Sequence, residues 1–548
     1  MTTLFDLDGL GAYQQGVQDA LADLEAQRSL PRIWAKDHTV WRPDPKEIAN
    51  RLGWLDVAQR MQAEIPRLEA LRDALLDEGY THVLLLGMGG SSLSPEVFSK
   101  VFGGQGRGLS LKVLDSTDPG AVFACMQALP LHHTVMIVAT KSGGTVETFS
   151  FFRFFYNHML QLVDGEVGDH FIAITDPGST LALLAEEYGF RECFLNDPTI
   201  GGRSSALSFF GLVPAALVGV DLSRLLARAG AMMESCGPLI PAAENPAACL
   251  GAVMGELAKA GRDKLTLVTS PAIGSFGDWV EQLVAESTGK EGQGILPVVG
   301  EPVGAPECYG SDRLFVHLAL AEDASQKAAL DALVQAGHPV VSLPLADRYD
   351  LGGQFFLWEL ATAVAGARLG IQPFDQPNVE AAKRVAREMV AAYERQGVLP
   401  EVETAPLTGA ALTAFLAQGK PGDYVAIQAY VTPTPEADAA LRTLRLHIWE
   451  RTRLATTVGY GPRFLHSTGQ LHKGDGGNGL FIQLTSEAVQ DLPIPDAAGD
   501  SASSISFGVL KAAQSLGDRQ ALLDVGRRVI RFNVGTDAVG GIRSLTAF

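Results

Sequence analysis

Two stretches of the chain combine glycine with hydroxyl side chains in a way suited to holding a phosphate: Val83–Ser94, VLLLGMGGSSLS, and Thr140–Thr148, TKSGGTVET. In the first, Gly87, Gly89 and Gly90 follow an apolar run and lead into Ser91, Ser92 and Ser94. Glycine permits a tight turn and close approach of backbone N–H groups to a ligand. A helix starting just after the turn adds unpaired N–H groups and a partial positive charge. Any tight strand-to-helix turn favours glycine, so it is the recurrence of the theme at Thr140 that points to an anion. Arg203 follows the pair Gly201–Gly202 at the head of an apolar helix pattern. It reads either as a helix-end arginine paired with a surface carboxylate or as a fixed cationic fork for a phosphate or oxyanion. In QLVAESTGK, Gln282 and Glu286 stand four apart and share a helix face. Glu286 is there a buried salt-bridge partner or a tuned acid/base, and Lys290 could serve either part. A late segment, Val458–Gly479, crowds His466, Gln470, His472, Lys473 and Asp475 into ten residues. No pair of these histidines comes with a third ligand, so no metal site is read there.

The elements that must position these residues follow from the apolar pattern. From Thr81 the chain alternates strand, glycine-rich or polar turn, and helix: Val83 onward, Leu111–Leu114, Thr134–Ala139 and Phe171–Thr175 read as strands. Continuous apolar runs of this kind are strands buried on both faces. They predict an open parallel sheet whose ligand loops gather at the carboxyl ends of the strands. A second unit begins near Pro246, with strands over Leu265–Ser270, within Gly292–Val299, over Leu314–Leu318 and over Pro339–Leu345. Helices are expected over Phe355–Leu369, Asn378–Gln396 and Glu436–Thr456, with Tyr424–Ala429 a central strand. Leu480–Leu484 and Arg528–Val534 are further strands, and Phe507–Val525 a helix. The resulting division is a helical arm over 1–60, a first α/β unit over 61–240, a second over 245–485, and a strand and helix extension over 486–548. Within the arm, Tyr13–Glu25 is helical and Ser29–Pro45 extended, with Trp34 and Trp41 packing it onto the body.

Composition narrows the class. At 548 residues and 47% hydrophobic, the chain can bury large cores. A formal charge of −19 argues against a nucleic-acid or anionic-membrane surface, yet leaves room for an anionic small molecule in a pocket with its own local field. The five cysteines are odd in number, widely spaced and without a CxxC pair, so neither a disulfide framework nor a zinc site is read. The start, MTTLFDLDGLG, shows no basic-then-apolar leader. A cytoplasmic enzyme or binding protein is expected, with no nucleic-acid or membrane partner.

GMGGSSLSP, IGGRSS and QLVAESTGK together resemble the glucose-6-phosphate isomerase family, in particular the form fused to transaldolase in some bacteria. The resemblance runs from Tyr80 to Lys473. It implies two sugar-isomerase (SIS) type αβα sandwich domains with largely parallel sheets, a homodimer, a sugar phosphate as substrate, and fusion to or association with transaldolase. It implies that Gly90, Ser91, Thr140, Lys141, Ser142, Thr145 and Thr148 surround the sugar phosphate. It gives Arg203 the part of stabilising an enediolate, Gln282 a substrate contact, and Glu286 the proton shuttle. Lys473 matches the family's late lysine on spacing, with Lys511 a second candidate. Two departures stand out. Ser204 replaces the aromatic residue usual after GGR, and VGAPECYGSDRLF stands where the family's ring-opening histidine is expected, with Arg313 near that column. Ring opening is therefore expected of His466 or His472, with Arg313 the alternative, or is weaker here.

The chemistry implied can be stated independently of the family. Moving a proton between C2 and C1 of a sugar needs one carboxylate within reach of both carbons. It also needs a cation beside the developing oxygen charge and a proton donor for the ring oxygen. It requires no metal or redox cofactor. Isomerisation of a related anionic sugar (a mannose phosphate or a sulfonated hexose) and plain sugar-phosphate binding are the competing readings.

Overall fold

The computed structural model describes residues 8–104 and 107–546. The amino-terminal stretch read above for a leader begins outside these residues. In the strand β1 (His82–Gly87), Val83 and Leu85 point into one core while Leu84 and Leu86 point into another, which is why its sequence is apolar without alternation. Around it lie β2 (Ser110–Leu114), β3 (Thr134–Ala139), β4 (Phe171–Thr175) and β5 (Glu192–Leu195), all parallel, in the order β2-β1-β3-β4-β5. The helices Leu93–Phe102 and Phe209–Val218 cover one face and Val146–Leu162 the other.

A second parallel sheet contains β6 (Lys264–Thr269), β7 (Leu296–Val299), β8 (Arg313–Leu320) and β9 (Val340–Leu345), in the order β7-β6-β8-β9. One face packs on the helices Pro246–Lys259, Phe276–Thr288 and Leu351–Leu369; the other receives Leu330 and Leu333 of Lys327–Gln335. The two αβα sandwiches share a continuous core, which runs from Val83 and Ile137 through Leu225 and Phe355 to Leu265 and Val316.

A third parallel sheet lies downstream. Its strands are β10 (Tyr424–Tyr430), β11 (Ala455–Tyr460), β12 (Gly479–Ser486) and, beyond the short antiparallel pair β13 (Pro493–Ile494) and β14 (Ile505–Ser506), β15 (Arg528–Gly535). The order is β11-β10-β12-β15. The segment 424–485, read from the sequence with the second unit, thus pairs with 528–533, read as an extension. The helix expected to reach Thr456 stops at Thr452, where Arg453 takes a left-handed φ of 59° and turns the chain into β11. In all three sheets the first strand has the second on one side and the third on the other.

The amino-terminal arm is docked as expected: Trp34 Nε1 donates to the Cys236 carbonyl at 2.9 Å and Trp41 Nε1 to the Ala363 carbonyl at 2.8 Å. Part of the span expected to be extended is instead a short helix, Ser29–Trp34. All five cysteines are free thiols. Among the described residues no helix is long and apolar enough to cross a membrane.

Candidate active site

The order β2-β1-β3 makes the crossovers leave β1 and β3 in opposite directions, which opens a crevice at the carboxyl ends of those two strands. Both hydroxyl-rich loops therefore arrive at one place. After β1 the chain makes a single turn, Gly89–Ser91. Gly89 has a φ of +54°, and a Cβ there would stand 2.7 Å from the His466 carbonyl oxygen and 2.9 Å from Gln282 Nε2. A Cβ on Gly90 would stand 1.9 Å from the Gly202 carbonyl oxygen. The loop is clamped between segments from all three sheets, and only glycine fits at either position. After β3, the Thr140 and Thr145 hydroxyls hydrogen-bond at 2.8 Å just before the helix Val146–Leu162. Lys141 is ion-paired with Asp176 and donates to the Pro198 carbonyl at 3.0 Å.

These loops line a cavity of about 870 Å³. Gly90, Ser91, Thr140, Lys141, Ser142 and Thr145 line it, as do Arg203, Gln282 and Glu286. Thr148 is fully buried and outside the lining, on the core side of its helix.

The helix Phe276–Thr288 supplies the acid. Gln282 Nε2 donates to Glu286 Oε2 at 3.0 Å, as the spacing of four predicts, and also to the His466 carbonyl at 2.8 Å. Arg203 Nη2 lies 3.5 Å from Glu286 Oε1, with both residues buried. The arginine is held from behind by the Phe374 and Asp375 carbonyls at 3.3 and 3.2 Å, and by Gln376 Oε1 at 2.9 Å. Lys290 anchors the same loop, donating to the Asp375 carbonyl at 2.6 Å and to Asp375 Oδ1 at 2.8 Å. Burial, reinforced by the charge of Arg203, pushes its ammonium down to about 8 in spite of Asp375.

The third sheet closes the cavity with the short helices Arg463–His466 and Gly469–Gly474. His466 Nε2 meets Glu147 Oε1 at 2.9 Å, and Gln514 Nε2 donates to the same oxygen at 2.7 Å. Burial alone would raise the Glu147 carboxyl, but the facing His466 ring outweighs it by charge and hydrogen bond and leaves the group below its usual range. Lys473 lines the cavity, and its Nζ donates to Asp518 Oδ1 at 2.5 Å and to the Gly469 carbonyl at 3.3 Å.

Three candidates lie elsewhere. His472 points into the core among Phe464, Phe481 and Tyr424; burial, with the charges of Lys473 and Arg527, holds it well below the usual histidine range. A ring kept neutral and walled off from the cavity is not placed to exchange a substrate proton. Lys511 Nζ pairs with Asp118 at 2.8 Å, tying the third sheet to the loop after β2. Arg313, fully buried, donates to Glu301 at 2.9 Å and Thr266 at 2.8 Å inside the second sandwich. Neither lines the cavity.

Sequence reasoning passed over Glu147, Gln376, Lys383 and Gln514, all of which line it. Lys383 and Arg387, four apart on the helix Val379–Gln396, bring cations to the rim. The only local trace of this wall is the polar, proline-bracketed linker PFDQP ahead of that helix. Among the described residues no group of three histidine, cysteine or acidic side chains is placed to hold a metal ion.

The glucose-6-phosphate isomerase of Parasynechococcus marenigrum (strain WH8102) is 30% identical over 407 residues, spanning 67% of this chain and 73% of that protein. The Phosphoglucose isomerase family matches residues 58–294. The chain belongs to the phosphoglucose isomerase family. The glucose-6-phosphate isomerase of Rubrobacter xylanophilus (strain DSM 9941) is 28% identical over 70% of this chain and 96% of its own length. Among solved structures, a hypothetical protein from Thermus thermophilus superposes with a TM-score of 0.60 at 25% identity, covering 71% of this chain and 99% of that one. A glucose-6-phosphate isomerase from Chlamydia trachomatis gives 0.53 at 19% identity over 70% and 85% of the two chains, a likeness of fold. The span matched by the phosphoglucose isomerase family takes in both phosphate-type loops, Arg203, Gln282 and Glu286, and ends before His466 and Lys473.

Proposed function

We propose that the chain interconverts glucose 6-phosphate and fructose 6-phosphate by proton transfer through an enediol. The observation that carries this is one carboxylate, Glu286, held between Gln282 and Arg203 on the wall of a cavity that two hydroxyl-rich loops also line. In this reading the phosphate binds at Ser91, Thr140, Ser142 and Thr145, where the helix Val146–Leu162 points its N-terminus. Glu286 takes the proton from C2 and returns it at C1, one base serving both carbons because they are adjacent. Arg203 faces the oxygen on which charge develops, in a site where burial strengthens the interaction. Glu147 accepts from His466 Nε2–H, which places the exchangeable lone pair on Nδ1 and suits His466 to pass a proton to and from the ring oxygen. Lys473, oriented by Asp518, positions a sugar hydroxyl.

The test is a coupled assay: fructose 6-phosphate, a glucose-6-phosphate dehydrogenase and NADP. Steady NADPH formation is expected. Absence of turnover, or formation of mannose 6-phosphate in place of glucose 6-phosphate, overturns the reading. The homodimer and the association with transaldolase that the resemblance implies belong to the same proposal. Sedimentation equilibrium of the purified chain, alone and mixed with transaldolase, tests both.

A further inference from the structure

The short helix Arg463–His466 ends in a histidine that lines the cavity and begins with an arginine that does not. A 3₁₀ turn repeats about every three residues, so side chains at i and i+3 stand on one face. Arg463 and His466 accordingly both reach the first sandwich, at different helices. Arg463 Nη2 is ion-paired with Glu96 on the helix Leu93–Phe102, and its Nη1 lies 3.1 Å from Asp115 Oδ2, just past the end of β2. Nη2 is also 3.9 Å from Asp278 Oδ2, on the helix that carries Gln282 and Glu286. Lys100 Nζ meets the other Glu96 oxygen at 2.8 Å. Burial alone would raise the Glu96 carboxyl, but the charges of Arg463 and Lys100 outweigh it and hold the group at about 2, so this pair is ionic at neutral pH. Asp115 in turn accepts from Ser92 Oγ at 3.3 Å, directly after the turn Gly89–Ser91 against which the His466 carbonyl packs.

We propose that Arg463 positions His466: the guanidinium fixes the rotation of the turn against Glu96 and Asp115, and this holds the imidazole at Glu147, facing the cavity. The proposal rests on the reading that His466 exchanges the ring proton. An arginine suits the part because its planar fork meets carboxylates from two elements in one fixed geometry, whereas a lysine offers a point charge on a flexible stem. The other end of the turn is held by Gln282 Nε2, which donates to the His466 carbonyl at 2.8 Å, and by Glu147, 2.9 Å from the ring. Without Arg463 the turn can pivot about those two contacts, and the ring moves with it.

The experiment compares the parental chain with Arg463→Met and Arg463→Lys, by crystal structure and by turnover of cyclic glucose 6-phosphate and of an open-chain analogue. In Arg463→Met the His466 ring should move from Glu147 by about 1 Å or more. Turnover of the cyclic substrate should then fall by about 10²-fold and that of the open-chain analogue by less than about threefold. A role in stability alone would lower both alike. Arg463→Lys is the second variant should the methionine not fold: it keeps the cation and loses the fork, and the same shift is expected with about a tenfold loss confined to the cyclic substrate. An unmoved ring in a folded variant, or equal losses on the two substrates where His466→Ala gives unequal ones, overturns the proposal. Should His466→Ala itself lose equally on both, or the parental chain be inactive, the ring-opening reading fails and the displacement of the ring alone decides this point.

Discussion

Replacing Glu286 by glutamine separates the proposed proton shuttle from everything else this residue does. In the parental site the carboxylate accepts from Gln282 Nε2 at 3.0 Å on Oε2 and faces the Arg203 cation, with Nη2 3.5 Å from Oε1. A glutamine can turn its one oxygen toward Arg203 or toward Gln282, leaving its NH₂ against a donor on the other side. That mismatch, in a buried site, costs about 1–3 kcal/mol of folding stability, the usual range for a polar group left unsatisfied. The catalytic loss should be larger. Removing a positioned acid/base lowers kcat by about 10²–10⁴-fold, equivalent to roughly 2.7–5.5 kcal/mol of barrier. Because Glu286 is not among the residues proposed to hold the phosphate, KM should stay within about threefold. Two assays read the result: steady-state turnover of fructose 6-phosphate, and loss of deuterium from C2 of labelled glucose 6-phosphate followed by NMR. Both should fall by the same factor. A variant that keeps kcat within about tenfold of the parent, or exchanges C2 deuterium at the parental rate while net turnover falls, places the base elsewhere.

Other outcomes follow from the same geometry. Ser142→Ala with Thr145→Ala should raise KM by about 10²-fold or more with kcat little changed, given two hydrogen bonds to a charged group of about 1.5–3 kcal/mol each. Inorganic phosphate should inhibit that variant less, and unchanged inhibition would remove the two residues from the site. Lys473→Met strands the fully buried Asp518 carboxylate and should destabilise the fold by about 3–5 kcal/mol. Adding Asp518→Leu should recover most of the lost thermal stability, and a Lys473→Met protein melting with the parent would disprove a charged pair. His466→Ala should slow turnover of cyclic glucose 6-phosphate far more than that of an open-chain analogue, whereas equal losses on both would deny it the ring proton. For Glu359, buried on the helix Leu351–Leu369, the pH sign is set by its raised carboxyl: the unfolded state ionises first, so parental stability falls as pH rises above about 4.3 toward the folded value. The melting advantage of Glu359→Gln over the parent should therefore widen from pH 5 to pH 9; a constant difference would mean that Glu359 is ionised in the folded protein.

What could be read before folding is what depends on near neighbours in the chain. The apolar run of β1, the glycines and serines after it and the recurrence at Thr140 form a local pattern, because a strand buried on both faces and a helix N-terminus each leave their mark within about ten residues. Gln282 and Glu286 belong to the same class, since four residues is one helical turn and their contact needs nothing from elsewhere. His466, His472 and Lys473 do not. They share one polar segment, yet His466 ends the short helix Arg463–His466, and which of His472 and Lys473 faces the cavity depends on how the next short helix, Gly469–Gly474, is rotated against Tyr424, Phe464 and Phe481. Lys511 and Lys473 illustrate the same limit, for each finds a buried aspartate, and only the packing decides that Asp518 adjoins the cavity lysine while Asp118 ties down the other. The third sheet was hidden because β12 pairs with β15 across the intervening helix Phe507–Asp524, a choice of partner that no single strand's composition states. Glu147 and Gln514 read as ordinary helix residues until that sheet carries His466 up to them, 319 residues along the chain from Glu147. Residue type and short-range period determine which groups are available for chemistry. Which of them meet is decided by long-range packing, because burial and charge at any one side chain are set by neighbours far away in sequence.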